Sequence, residues 1–175
     1  MLFNKSDNGI QELHEATGYI YSYNRFENIS TDIAVAQEEL AGITGPEIIQ
    51  SAQNHYDSEN FGDPSFSMLN NLVAHLQRPI AHYAVLSYTG TSDVSHEDTG
   101  RKVKIDADNE KLPWQWMLDR DEQNIRKKAF KTTDLLIEFL EANADSLDAW
   151  KNSDKRSEFR SQLINSTAMF NSIYP

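Results

Sequence analysis

The sequence predicts an all-α protein: a bundle of about five helices, with a small β-hairpin inserted before the longest one. Three observations lead there. Apolar residues recur at three- and four-residue steps over long stretches, above all from Phe66 to Ala84 and from Met117 to Leu140. One of these stretches, Trp114 to Leu140, runs about seven helical turns without proline or glycine. Strand-like alternation is confined to a single short segment, where Val103 and Ile105 alternate with Lys102 and Lys104. At 175 residues and 39% hydrophobic content, the chain reads as one domain, 1–175, with a modest core.

The elements follow in order. Ser6 to Thr17 forms a first helix, with Ile10, Leu13 and Ala16 or Thr17 on one face and Gly18 at its end. The tyrosine-rich GYIYSYNRFEN is an extended connector. Ser30 or Thr31 is placed to cap a second helix, with Ile33, Ala34, Ala36 and Leu40 inward and Gly42 as its stop. Thr44 and Pro46 open a third, carrying Ile48, Ile49, Ala52 and Tyr56. After the turn-rich NHYDSENFGDPSF, a fourth runs from Pro64 to about Tyr88 and should kink at Pro79. The hairpin occupies about 92–106 and, being marginal alone, must pack on something. Pro113 starts the long helix, NADSLDAW makes a short turn or helix, and Asp154 caps a last helix through Phe159, Leu163, Ile164 and Phe170.

Composition removes several function classes. With no cysteine, disulfides, thiolate zinc sites and cysteine nucleophiles are excluded. No apolar run is long enough for a membrane span, and MLFNKSDNGI is too polar for a signal peptide, so a cytosolic origin is expected. The net charge of −11 is unevenly distributed: residues 1–65 hold 11 acids against Lys5 and Arg25, and account for −9 of it. Such a surface repels nucleic acid and keeps a protein soluble.

The motifs that could carry chemistry are weak. His75 and His82 lie two turns apart, about 10 Å along the axis, too far for one ion, and no third ligand is spaced to help. His14, His55 and His96 are scattered. DSENFGDPSFSM from Asp57 resembles a calcium loop only in its glycine; Phe61 and Met68 stand where ligands belong. TGTSDVSHEDTG lacks the lysine and the following helix of a phosphate loop. Asp119, Asp121 and Glu122 suit the start of a helix dipole, and Glu122 can pair with Arg126 one turn on. Arg126, Lys127, Lys128 and Lys131 surround Phe130 as a basic patch, suited to the acidic first third of this chain or of a neighbour. No catalytic residue, metal or cofactor is assigned.

The two long helices carry a second feature. With about 100° per residue, Met117, Leu118, Ile125, Ala129, Leu135, Leu136, Phe139 and Leu140 fall on one core stripe. Trp116, Phe130 and Ile137 fall on the back, at roughly 140–200° from Trp114. On the preceding helix, Met68, His75 and His82 recur every seven residues outside the main core face, with Leu86 beside them. A back stripe is either buried on a second side within the monomer or meets another subunit. Met68, His75, His82, Trp116, Phe130 and Ile137 are therefore the candidate subunit interface.

LQRPIAHYAVLSY, the hairpin, LPWQWMLDRDEQNIRKKAFKTTDLLIEFLEANADSLDAW and QLINSTAMFN together resemble a poorly characterised family of small helical proteins. That family lies among the virion genes of Bacteroidetes-type phages and prophages and is similar to head–tail connector (adaptor) proteins. The likeness covers about residues 28–172 and is strongest over 72–150. Relatives are expected to continue past Pro175. The resemblance implies a structural, non-enzymatic virion protein, assembled in the host cytoplasm into a ring between portal and tail. Its partners would be copies of itself, the portal and tail or stopper proteins. DNA would pass transiently and non-specifically through an acidic lumen, with no membrane involved. Arg101, Lys102, Val103 and Lys104 on the hairpin would then reach the portal or the next subunit. The alternative is a small oligomeric helical protein–protein interaction module of bacterial origin.

Overall fold

The computed structural model describes residues 1–18, 25–92, 94–97, 100–103 and 115–162; side chains are described within these except for 90–103, 115, 117 and 118. Among them are seven helices: α1 Gly9–Thr17, α2 Glu27–Thr44, α3 Pro46–Asp57, α4 Ser67–Ser92, α5 Gln115–Ala142, α6 Asp148–Lys151 and α7, residues 154–162. The fold class is all-α. Between α4 and α5 two four-residue segments, β1 Val94–Glu97 and β2 Gly100–Val103, pair antiparallel, Val94 opposite Val103 and His96 opposite Arg101. The connector at 19–24, Lys104, Ile105, Pro113, Trp114, and Leu163, Ile164 and Phe170 of the expected last helix lie outside the described residues.

The helix α4 is the axis of the molecule. It packs against α1, α2 and α3 and against α5, while α2 and α5 pack on α4 rather than on each other. That position explains its breadth of burial. Leu72, Val73, Leu76, Ile80, Ala81, Ala84 and Val85 are all fully buried, too many positions for one stripe. It remains one helix through Pro79. From the other side, α5 contributes Ile125, Ala129, Leu136 and Leu140 to the core, each 1% exposed or less. Of the expected core of α4, Phe66 instead sits at the surface, in the 3₁₀ turn Pro64–Phe66 that precedes the helix.

Burial moves several boundaries. The second helix begins at Glu27, one turn before the expected Ser30 or Thr31 cap, and Ser30 donates back to the Glu27 carbonyl from inside it. The cause is Ile29, fully buried, which extends the inward stripe through Ile33, Ala36, Leu40 and Thr44. Gly42 does not stop this helix, because that stripe still has Thr44 to bury. Gly45 ends it, at φ 94°, a conformation that suits glycine. The first helix begins at Gly9 rather than Ser6. A β-carbon at Gly9 would run into the Phe26 ring, so this close approach requires glycine. Gly18 ends α1 at φ 76°, as expected. Ser153, not Asp154, caps the last helix: its hydroxyl accepts from the Lys155 backbone N–H at 3.2 Å.

The N-terminal strand of chain is strapped down in a way no periodicity announces. Leu2 and Phe3 are buried, 0% and 3% exposed. The Gln37 side chain accepts from the Leu2 N–H, and Gln77 donates to the Leu2 carbonyl. Lys5 donates its backbone N–H to the Tyr56 hydroxyl at 2.6 Å and its ammonium to the Ser58 carbonyl at 2.7 Å. The Tyr56 hydroxyl in turn donates to the Glu12 carboxylate.

Candidate interaction face

Among the described residues, the helix α5 holds the two most exposed large hydrophobic side chains. Trp116 is 58% and Phe130 57% exposed. They are fourteen residues apart on one face, about 21 Å along the axis. The Phe130 ring lies edge-to-face with the Tyr83 ring, their centroids 6.5 Å apart. His75 stacks on Phe139 at 4.4 Å, and Tyr83 lies beside Phe130 and Thr133, so α4 and α5 run antiparallel. At that register about two turns of α5 project beyond the end of α4. There Trp116, Asp119, Arg120, Asp121, Glu122, Gln123 and Asn124 are all exposed, and Ile125 is the first buried side chain among those described. β1 leaves α4 at the same end.

The six candidate interface residues separate into three groups. Trp116 and Phe130 face outward. Met68, His75 and Ile137 are half-buried, with Met68 and Ile137 against the core and His75 on Phe139. His82 is turned inward: it is 5% exposed, its Nδ1 lies 2.8 Å from the Arg78 carbonyl, and it belongs to its own chain's packing. The stripe on α4 is thus largely consumed by α5, because α4 is covered from two sides. Burial pushes the His82 imidazole down from its ordinary value, against the hydrogen bond it donates to the Arg78 carbonyl, and Lys128 adds to the lowering. His75 is lowered by burial and by Arg78. Met117 and Leu118 of the predicted core stripe, the side chains of Arg101, Lys102 and Val103, and all of Lys104 are outside the described set.

The basic patch is real as a surface feature. Arg126, Lys127, Lys131 and Phe130 are exposed and Lys128 half-buried. Arg126 bonds Glu122 at 2.6 Å, the one-turn pairing expected from their spacing. The calcium-like loop serves a structural purpose instead. Asn70 Oδ1 accepts from the Gly62 N–H and from His55 Nε2, and its amide nitrogen donates to the Asp63 carbonyl. Asp63 caps Ser65, whose N–H holds the Asp63 carboxyl below its ordinary range. Among the described residues no three His, Asp or Glu side chains gather as a metal site. No described helix is long and apolar enough to cross a membrane.

A family of unknown function, DUF6712, matches residues 40–160. The chain belongs to that family. The matched region runs from the end of α2 through α3, α4 and α5 into α7, and so includes both the exposed aromatics and the basic patch. No curated protein and no solved structure matches the chain.

A second polar cluster escaped the sequence reading. Glu141 gathers Arg156, Arg160 and the Trp150 indole: Arg156 Nε at 2.9 Å, Trp150 Nε1 at 2.9 Å and Arg160 at 3.1 Å. Burial works against the Glu141 charge, yet Arg156, Trp150 and Arg160 together hold its carboxyl below the usual range. Trp150 is fully buried, so this cluster pins α6 and α7 to the end of α5. The only available signal was the basic pair four residues apart in KRSEFR, and that spacing is equally ordinary on a solvated helix.

Proposed function

We propose that this protein is a structural virion component, a head–tail connector that assembles into a ring between portal and tail with a lumen for DNA. The observation that carries the reading is the outward pair Trp116 and Phe130 on α5. Isolated exposed apolar residues are ordinary, but two large aromatics on one rigid helix form the kind of surface that buries against another chain. Two further features support it. The acid-rich first third suits a wall past which DNA slides without adhering, since like charge opposes phosphate binding. The resemblance in LQRPIAHYAVLSY and the long helix points to the same class. In this reading the hairpin around 92–106 is an arm toward the portal or the adjacent subunit, at the end of the molecule where α5 projects. The protein performs no catalysis, and its place is the virion.

A second reading, a small oligomeric helical module that binds other proteins, draws on the same exposed aromatics. Mass photometry of the purified protein, alone and with portal, separates the two. The connector reading expects rings or portal-bound oligomers. A monomer at high concentration that ignores portal would overturn it. The double change Trp116→Glu with Phe130→Glu should abolish assembly while circular dichroism shows unchanged helicity. Unfolding by that variant would mean the aromatics serve the monomer's own core.

A further inference from the structure

The geometry points to a head-to-tail contact between copies, in which the Lys127–Phe130–Lys131 face of α5 docks on the outer flank of α2 around Glu38 and Glu39. The inference rests on the assembling role proposed above and names the surfaces that meet.

Charge complementarity selects the occupant. Between Arg25 and Arg78 the chain contains no lysine or arginine, while Glu27, Asp32, Glu38 and Glu39 fall on α2 alone. On α5, RKKAFK places four bases within six residues with no acid among them. Within one molecule these two surfaces do not meet. They are separated by α4, on which both helices pack. Five ion pairs run between Glu122 and Arg160, and none of these involves an acid of α2 or α3. Glu38, Glu39, Lys127 and Lys131 are all exposed.

Apolar groups are matched as well. Val35 is 47% and Ile43 45% exposed, and they flank Glu39 at four-residue steps along α2. That is an apolar–acid–apolar line, with the outer members about 12 Å apart. On α5, Lys127 and Lys131 are one turn apart with Phe130 beside them, 57% exposed. A Phe130 ring set against Val35 or Ile43 brings Glu39 between the two ammonium groups. Because each subunit offers one of each surface, the contact is heterologous, and copies propagate until they close. One helix-on-helix contact is small by the standard of stable complexes, about 1,000 Å² or less in total. Closure into a ring, with two contacts per subunit, is what makes such an interface persist.

The test is a charge swap read by mass photometry, with circular dichroism as the folding control. Lys127→Glu with Lys131→Glu should raise the concentration needed for assembly at least about tenfold, and Glu38→Lys with Glu39→Lys should do the same. All four changes in one chain should restore assembly, because both surfaces are inverted together. High salt should weaken the wild-type assembly. Should either reversal unfold the chain, the neutral pairs Lys127→Gln with Lys131→Gln and Glu38→Gln with Glu39→Gln are expected to weaken assembly in the same direction. Wild type that assembles but ignores both reversals, or a four-fold swap that fails to restore assembly, overturns this contact and leaves the connector reading standing. A wild type that stays monomeric overturns both.

Discussion

At the scale of single residues, histidine and tyrosine show how packing reassigns a polar side chain. Spacing put His82 on a back stripe; burial places it beside Lys128, where a second positive charge is unwelcome. Its folded pKa is depressed, so the unfolded chain binds the proton more readily than the folded one. The stability it confers is complete above the ordinary histidine range and is lost as pH falls from there through the lowered folded value. His75 acts in the same direction. The melting temperature should therefore drop as pH is taken from about 7.5 to about 5.5. His82→Asn should show a shallower drop over that interval, and an unchanged slope would mean that His82 protonates freely in place. Tyr56 is the counterpart: burial first, then the Glu12 hydrogen bond and charge, drive its pKa far upward. It stays a neutral donor, which is what its link between Lys5 and Glu12 requires. Nothing in the spacing of Glu12 and Tyr56, 44 residues apart, foretold that bond.

At the scale of elements, existence and order were legible, and so were the ends at Gly18 and Pro46, while both ends of α2 were not. Caps and glycines are local signals, and they were outvoted by one more buried residue at either end of α2: Ile29 before Ser30, and Thr44 after Gly42. Burying Ile29 contributes about 1.5–3 kcal/mol, more than the ~1 kcal/mol of a cap. At the other end Thr44 is fully buried with its hydroxyl donating to the Leu40 carbonyl, so the helix continues through Gly42 despite that residue's ~1 kcal/mol propensity cost. Gly42 therefore remains in α2 at a cost. A β-carbon there meets nothing within 4 Å. Gly42→Ala should stabilise the protein by about 0.5–1 kcal/mol, measured by urea denaturation with an unchanged slope. A destabilised variant would mean that the backbone at 42 is not helical. Gly18 and Gly45, by contrast, hold φ of 76° and 94° and stop their helices for a conformational reason; spacing alone pointed to Gly18, while the choice of Gly45 over Gly42 came with the burial of Thr44.

At the scale of the whole molecule, the question is whether the folded monomer is the stable unit. A subunit that assembles is stabilised by mass action, by about 2.7 kcal/mol at a hundredfold excess over the dissociation constant. For a chain of this size that corresponds to a rise in melting temperature of roughly 5–10 °C between dilute and concentrated protein. Differential scanning calorimetry over a concentration series should show that rise in wild type. It should show none in the Trp116→Glu, Phe130→Glu variant. A concentration-independent wild type would speak for a monomer with two ordinary exposed aromatics.

The sequence by itself determined the all-α class, the order of the long helices, the Glu122–Arg126 pair and the grouping of Trp116 and Phe130 on the back face of the long helix, because each follows from helical period and near-neighbour spacing; that this face is left uncovered at Trp116 and Phe130 was decided by the tertiary structure. Only the tertiary structure decided that α4 is the central helix, that His82 turns inward, that the N-terminal segment is strapped by Tyr56 and Gln77, and that Glu141 gathers Arg156, Arg160 and Trp150. A period tells which residues share a face; it does not tell how many faces a helix will have covered, and that number depends on neighbours brought from distant parts of the chain.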